Sequence, residues 1–364
     1  MEDKICLIYN FAQHYRTGIF RKMDNRLNVD FFFGDSLNDI KKMDYHELSN
    51  HHEIKNILIW KPIYYQYGAV SLIFRKYDKY IILGEYHCIS TWLILIFSRL
   101  LRKKVYLWSH GYYGNEGLIK STFKKLFFSL SDGVFLYGNY ARRLMIERGF
   151  EPEKLKVIYN SLDYEYQIKL RRRLKETNIY HEHFANNHPV LIFIGRLTFE
   201  KELHLLVEAV QLLEAQGLNL NVVFVGSGAA QESLIQRIDV DQLATYWFYG
   251  PCYDEGEISE LIYNSDICIS PGNVGLTAMH ALMYGTPVIT HSNFEHQNPE
   301  VEAITSGKTG AFFKKGDGSS LASVISDWLN NNESREEIRQ ECYRIMDERY
   351  NPEYQIEVIS KTII

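Results

Sequence analysis

The stretch Asp266-Ile-Cys-Ile-Ser-Pro-Gly-Asn-Val-Gly-Leu-Thr-Ala-Met-His-Ala-Leu-Met-Tyr-Gly-Thr-Pro-Val-Ile-Thr290 changes its local preference four times. A β-rich run, Ile267–Ser270, meets Pro271-Gly272 and a turn through Gly275. An apolar helical stretch follows over Leu276–Tyr284, then Gly285, then a second strand led by Pro287-Val288-Ile289. The reading is a β-turn-α-turn-β unit. The first N–H groups of its helix lack intrahelical partners and lie at the positive end of the dipole, so the loop is an anion site. The backbone of Asn273, Val274, Gly275, Leu276 and Thr277 is expected to form the nest, whatever the side chains do.

Similar units recur on both sides. Ile5–Tyr9, Val29–Phe33, Ile57–Trp60, Tyr80–Leu83, Val105–Trp108, Gly133–Tyr137 and Lys156–Tyr159 form one series of strand-like runs. Val190–Ile194, Asn221–Val225, Thr245–Tyr249, Ile267–Ser270, Pro287–Thr290 and Gly310–Phe313 form a second. Strands alternating with helical patterns predict parallel sheets covered on both faces. The polar segment Gln167–His188 separates the series and reads as a linker. The predicted organisation is α/β, with two Rossmann-like doubly wound domains, 1–165 and 166–345, facing a central cleft. Residues 346–364 are expected to form a helix packing back on the first domain.

At 364 residues the chain is too long for one ordinary core. Its 46% hydrophobic and 23% charged residues are those of a globular protein, and 26 Tyr and 20 Phe suit aromatic packing and sugar-facing rings. The five cysteines are scattered without metal spacing, as in a reduced cytoplasmic protein, and no metal site is expected. The first strand is expected at Ile5, so no secretory leader is expected, and the longest apolar run, Ile89–Phe97, is too short to span a bilayer. Residues 1–165 carry 24 Lys+Arg against 18 Asp+Glu, and the remainder 16 against 27. The basic half suits an anionic partner or simply a solvated helix face. Nucleic acid is not expected, since neither the overall charge nor any motif points to it.

The second informative stretch is Val190-Leu-Ile-Phe-Ile-Gly-Arg196-Leu-Thr-Phe-Glu-Lys201. A buried strand delivers Gly195 and then two cations just before a helix. Arg196 and Lys201 can neutralise a leaving diphosphate there, or form a solvated loop with Glu200.

With Val223-Phe-Val-Gly-Ser-Gly228, Ser270-Pro271, Gly275-Leu276, Gly285-Thr-Pro-Val288, Gly307-x2-Gly310 and Asn160-Ser161-x-Asp163, this Gly-Arg-Leu-x3-Lys run resembles the retaining GT-B glycosyltransferases of family four, the glycosyl transferases group 1, over residues 100–350. The resemblance implies transfer of a sugar from a UDP- or GDP-sugar, without metal or other cofactor, to a glycan or lipid-linked glycan of a capsule, O-antigen or exopolysaccharide. Arg196 and Lys201 would hold the diphosphate, with Gly195 and Gly250 completing the donor site. The family places one Glu on the sugar and a second, eight positions later, on the ribose. Here those positions are Gly272 and His280. His280 can still bond a ribose hydroxyl, and Glu295, Glu300 or Glu302 are candidates to replace a carboxylate.

In the first half, His110 stands at a strand end where the resemblance implies a donor-sugar contact. His14, Tyr15 and Arg16, in a loop that keeps only Gly18 of a glycine-rich pattern, and Glu85 are the candidate acceptor residues. Arg99–Lys104 and Ile119–Leu130 are basic and partly apolar, and the second mixes lysines with aromatic residues at helical spacing. They read as weak docking on the inner membrane surface or, equally, as an amphipathic helix packed on the sheet. Two rival functions remain open, a sugar-nucleotide epimerase of the same fold and an inert glycan-binding or scaffold protein.

Overall fold

The computed structural model describes residues 3–36, 41–238, 240–331 and 334–363. They divide into two compact units, one comprising the residues up to Tyr164 and those from Arg349 on, the other Glu165–Glu348.

The first unit holds an eight-stranded sheet made of β1 (Ile5–Tyr9), β2 (Val29–Gly34), β3 (His51–Trp60), β4 (Ile63–Tyr67), β5 (Lys79–Leu83), β6 (Lys104–Ser109), β7 (Gly133–Leu136) and β8 (Leu155–Val157), in the order β4-β3-β2-β1-β5-β6-β7-β8. Successive side chains point to opposite faces of a strand. Leu7, Phe31 and Ile81 accordingly join one core, with the isoleucines of helix Pro352–Ile363. Cys6, Phe32, Tyr80 and Val105 join the other, with Leu95, Phe127 and Phe128 of helices Ile89–Leu101 and Leu118–Ser129. Burial on both faces is what makes these strands continuously apolar. The edge departs from the expected parallel pattern. Ile57–Trp60 is the end of a ten-residue strand that turns back as β4, an antiparallel hairpin whose second strand had no place in the sequence reading.

The second unit holds β9 (Val190–Ile194), β10 (Asn221–Val225), β11 (Tyr246–Gly250), β12 (Ile267–Ser270), β13 (Val288–His291) and β14 (Gly310–Phe313), in the order β11-β10-β9-β12-β13-β14. Every pair is parallel, so all six strands end at one edge. The segment expected as a linker is largely helical, Tyr164–Arg171 and Ile179–Phe184, and Gln167 within it is buried. Helix Leu276–Met283 starts where the sequence placed it, with Gly275 at φ +50° as its N-cap. The five cysteines are free, and no helix among the described residues is long and apolar enough to cross a membrane.

Candidate functional site

In the second unit the predicted residues gather at the carboxyl edge of the sheet, where doubly wound folds bind ligands. Gly195 follows β9 at φ +144°, and the loop after β10 crosses it so closely that a Cβ on Gly226 would meet the Gly195 oxygen at 1.9 Å. Lys201 turns back to donate its ammonium to the carbonyl oxygen of Asn273, and the Gly272 N–H donates to the Lys201 carbonyl at 2.9 Å. Burial pushes the Lys201 pKa down, and the Arg196 guanidinium pushes it further, while Glu300 opposes both. Two neighbouring cations of which one is desolvated form a strong site for a multiply charged anion. Arg196 itself is exposed.

The loop 272–274 is held by Gln297, a residue the sequence reading passed over. Its side-chain oxygen accepts the Val274 N–H at 2.8 Å, and its Nε2 donates to Thr290 Oγ1 at 2.9 Å and to the carbonyl oxygen of His291 at 3.2 Å. One N–H of the expected nest, that of Val274, already has a partner, and the Val274 side chain is buried; Thr277 Oγ1 donates to the carbonyl oxygen of Ile194 at 2.9 Å. Both residues shape the loop. Gly275 and Leu276 form the helix start, and the Gly250 carbonyl ties the β11 end to Gly226 N at 2.8 Å.

His280 has a carboxylate beside it after all. Its Nδ1 lies 3.3 Å from Glu255 Oε1, and the same oxygen accepts from Gln167 Nε2 and Tyr284 OH, each at 2.7 Å. Burial alone would raise the Glu255 pKa, but the His280 bond and charge, with Gln167 and Tyr284, hold it down at about 2. In the neutral ring, a proton on Nδ1 directed at this carboxylate leaves Nε2 as an acceptor. Of the three downstream acids only Glu300 is buried, and its charge acts on Lys201. Glu295 is exposed. Glu255 lies in a helix outside every motif quoted above, which is why the sequence did not single it out.

The first unit contains a separate cavity of about 730 Å³. Tyr15, Arg16, Glu85 and His110 line it, but His14 does not. That side chain is exposed and faces the Lys41 carbonyl at 3.2 Å. Glu85 accepts from Tyr64 OH at 2.6 Å and Asn10 Nδ2 at 3.3 Å, and its burial raises its pKa. Tyr64 belongs to the unforeseen strand β4. Arg16 is buried among rings, donating to Tyr137 OH at 2.7 Å with its guanidinium 5.6 Å from the Trp108 centroid. His110 packs on Tyr137 with ring centroids 4.6 Å apart. Burial, then Arg16 and Lys124, lowers its pKa from 6.5 to about 4, so the ring is neutral at pH 7. Lys124, expected on a basic surface, is instead buried against Glu116 at 2.7 Å. Gly18 serves packing. A Cβ there would touch Pro352 Cγ at 3.0 Å, where helix Pro352–Ile363 crosses Thr17–Arg26.

Among the described residues no group of three or more His, Cys, Asp or Glu is placed to hold a metal ion. The chain was compared with known proteins. The family model "Glycosyl transferases group 1" matches residues 175–344. This segment is a glycosyl transferases group 1 domain. The matched segment contains Gly195, Arg196, Lys201, Gly250, Gly272 and His280, and not His110. A 41.2 kDa protein of the cps region of Klebsiella pneumoniae is 24% identical over 288 residues, 77% of this chain and 71% of that one. Among solved structures, Anabaena HepE in complex with UDP superposes with a TM-score of 0.72 at 15% identity, covering 98% of this chain and 99% of that one. The lipopolysaccharide outer core galactosyltransferase WaaB in its apo form gives a TM-score of 0.70 at 14% identity, covering 99% of each chain. The fold is GT-B, two Rossmann-like α/β units.

Proposed function

We propose that the chain is a retaining, metal-independent hexosyltransferase of surface-polysaccharide synthesis, moving a sugar from a UDP- or GDP-sugar to a glycan or lipid-linked glycan. The observation that carries this reading is the partly buried Lys201 ammonium near Arg196, held by the Asn273 carbonyl at the sheet's carboxyl edge. That arrangement suits a diphosphate whose charge grows as it leaves. A UDP complex of a structure with the same fold and a cps-region relative add support.

In this reading the sugar–diphosphate C–O bond breaks while a new C–O bond forms to the acceptor hydroxyl on the same face. The acceptor proton passes to the leaving phosphate oxygen, so positioning and charge stabilisation are the protein's main tasks. His280, oriented by Glu255, would accept from a ribose hydroxyl. Neutral His110 would bond the donor sugar, and Glu85, with Tyr15 and Arg16, would line the acceptor site.

Melting shifts with UDP and GDP, together with turnover of Arg196→Ala and Lys201→Ala, test the assignment. Either nucleotide should raise the melting temperature, and each substitution should cut turnover by roughly tenfold or more, on the order of 2–4 kcal/mol. Full activity in both variants would remove the phosphate role. Absence of any nucleotide shift would favour an inert scaffold, and product formed without acceptor would favour an epimerase.

A further inference from the structure

Two exposed apolar elements border the cavity of the first unit. Leu58, Lys61 and Pro62 of the β3–β4 hairpin line it, and so do Lys124 and Phe128 of the inner face of helix Leu118–Ser129. The hairpin holds Trp60 79% and Leu58 66% exposed, with Ile59 beside them. The helix has two apolar faces. Phe127 and Phe128 enter the core, whereas Leu118 and Ile119 are 89% and 88% exposed and Phe123 and Leu126 lie open beside them. The inner face is packed in the core, as an amphipathic helix would be, while the outer face leaves a cluster of exposed apolar residues of the kind that marks a binding surface.

Charge indicates what covers it. Residues 54–67 and 118–129 contain no Asp or Glu; Lys55, Lys61, Lys120 and Lys125 are exposed, and the remaining lysine, Lys124, is buried against Glu116. Apolar side chains and a ring at the tips, with lysines around them and no acid, match the two contributions that hold interfacial elements on anionic lipid. A protein partner of ordinary composition would leave these lysines without consistent counter-charges.

We propose that the 57–63 turn and the outer face of helix Leu118–Ser129 dock the first unit on a bilayer rich in anionic phospholipid, with the cavity mouth between them at the lipid headgroups. That the cavity then receives a lipid-linked acceptor rests on the glycosyltransferase reading; the docking itself does not.

The test is co-sedimentation of the full chain with phosphatidylcholine vesicles that contain or lack phosphatidylglycerol. Binding should require phosphatidylglycerol and weaken as salt is raised. It should fall by at least about tenfold in Trp60→Ser/Ile119→Ser and also in Lys120→Glu/Lys125→Glu. The melting shift by UDP or GDP reports on the second unit and should be unchanged in these variants. No binding to anionic vesicles, or equal binding by the variants, overturns the proposal. So does a concentration-dependent dimer that Trp60→Ser/Ile119→Ser splits, which would assign the face to a second copy. Vesicle binding without any nucleotide shift would uphold docking while removing the transferase reading.

Discussion

A Cβ on Gly272 would lie 2.2 Å from the carbonyl oxygen of Glu200, and the backbone of Lys201 is almost as near. The position where the family pattern has a carboxylate is therefore closed by the same loop that delivers Lys201. Substitution by Glu cannot restore a sugar contact, because the side chain has no room to leave the backbone. Gly272→Glu should lower stability by about 1–3 kcal/mol, as overpacking does, and abolish the nucleotide-induced melting shift. A stable variant with an intact shift would show that the loop moves aside. The second missing carboxylate has a different explanation. His280 is tied to Glu255, so an acid stands next to the site without standing in the motif. Gly272 and His280 could be recognised as departures from a pattern, but the Glu200 carbonyl and Glu255 come from other parts of the chain. Only folding shows which atoms meet them.

Elements tell a similar story through the helix Pro352–Ile363. It begins after the second unit has ended, yet Ile356, Ile359 and Ile363 are buried in the core of the first. Its first turn rests on Gly18 and is paired through Glu353 with Lys22 at 3.1 Å and with Arg26. These surface pairs add little, and the isoleucines dominate. Ile359→Ala should destabilise the first unit by about 2–4 kcal/mol, read as a lower urea midpoint, with no effect on nucleotide affinity in the second. A loss below about 0.5 kcal/mol would mean that the helix is peripheral. The hairpin β3–β4 was the least legible element. Its apolar residues are exposed, and a pattern that assigns apolar runs to a core has no place for Ile63–Tyr67.

At the scale of the whole molecule, each unit holds a histidine whose surroundings exclude the charged form. Burial, with Arg16 and Lys124, lowers the pKa of His110 to about 4, and burial, with Lys315 and His296, does the same for His291. Between pH 6.5 and 4 the unfolded chain takes up protons that the folded chain refuses. Stability from these groups is therefore complete above pH 6.5 and declines as the pH falls towards 4. The melting temperature should drop over that window, and His291→Gln, which keeps an acceptor for the Asn293 N–H, should drop less steeply. Parallel slopes for the two proteins would show that other groups govern the acid limb. Charge is likewise divided between the units. The basic excess of the first half is partly buried chemistry, as in Lys124 against Glu116, and partly exposed lysines such as Lys55, Lys61, Lys120 and Lys125.

Local periodicity and glycine placement were enough to predict the parallel strands, the helix opened by Gly275 and the cationic loop Arg196–Lys201. Each is set by near neighbours in the chain, through side-chain alternation, backbone freedom and helix-end polarity. Tertiary structure alone decided that Glu255 lies against His280, that Gln297 supports the loop before helix Leu276–Met283, that Tyr64 reaches Glu85 and that His14 turns away. These pairings join residues separated by many positions in the chain. The energies that select them, burial of charge and close packing, exist only once the elements have been brought together.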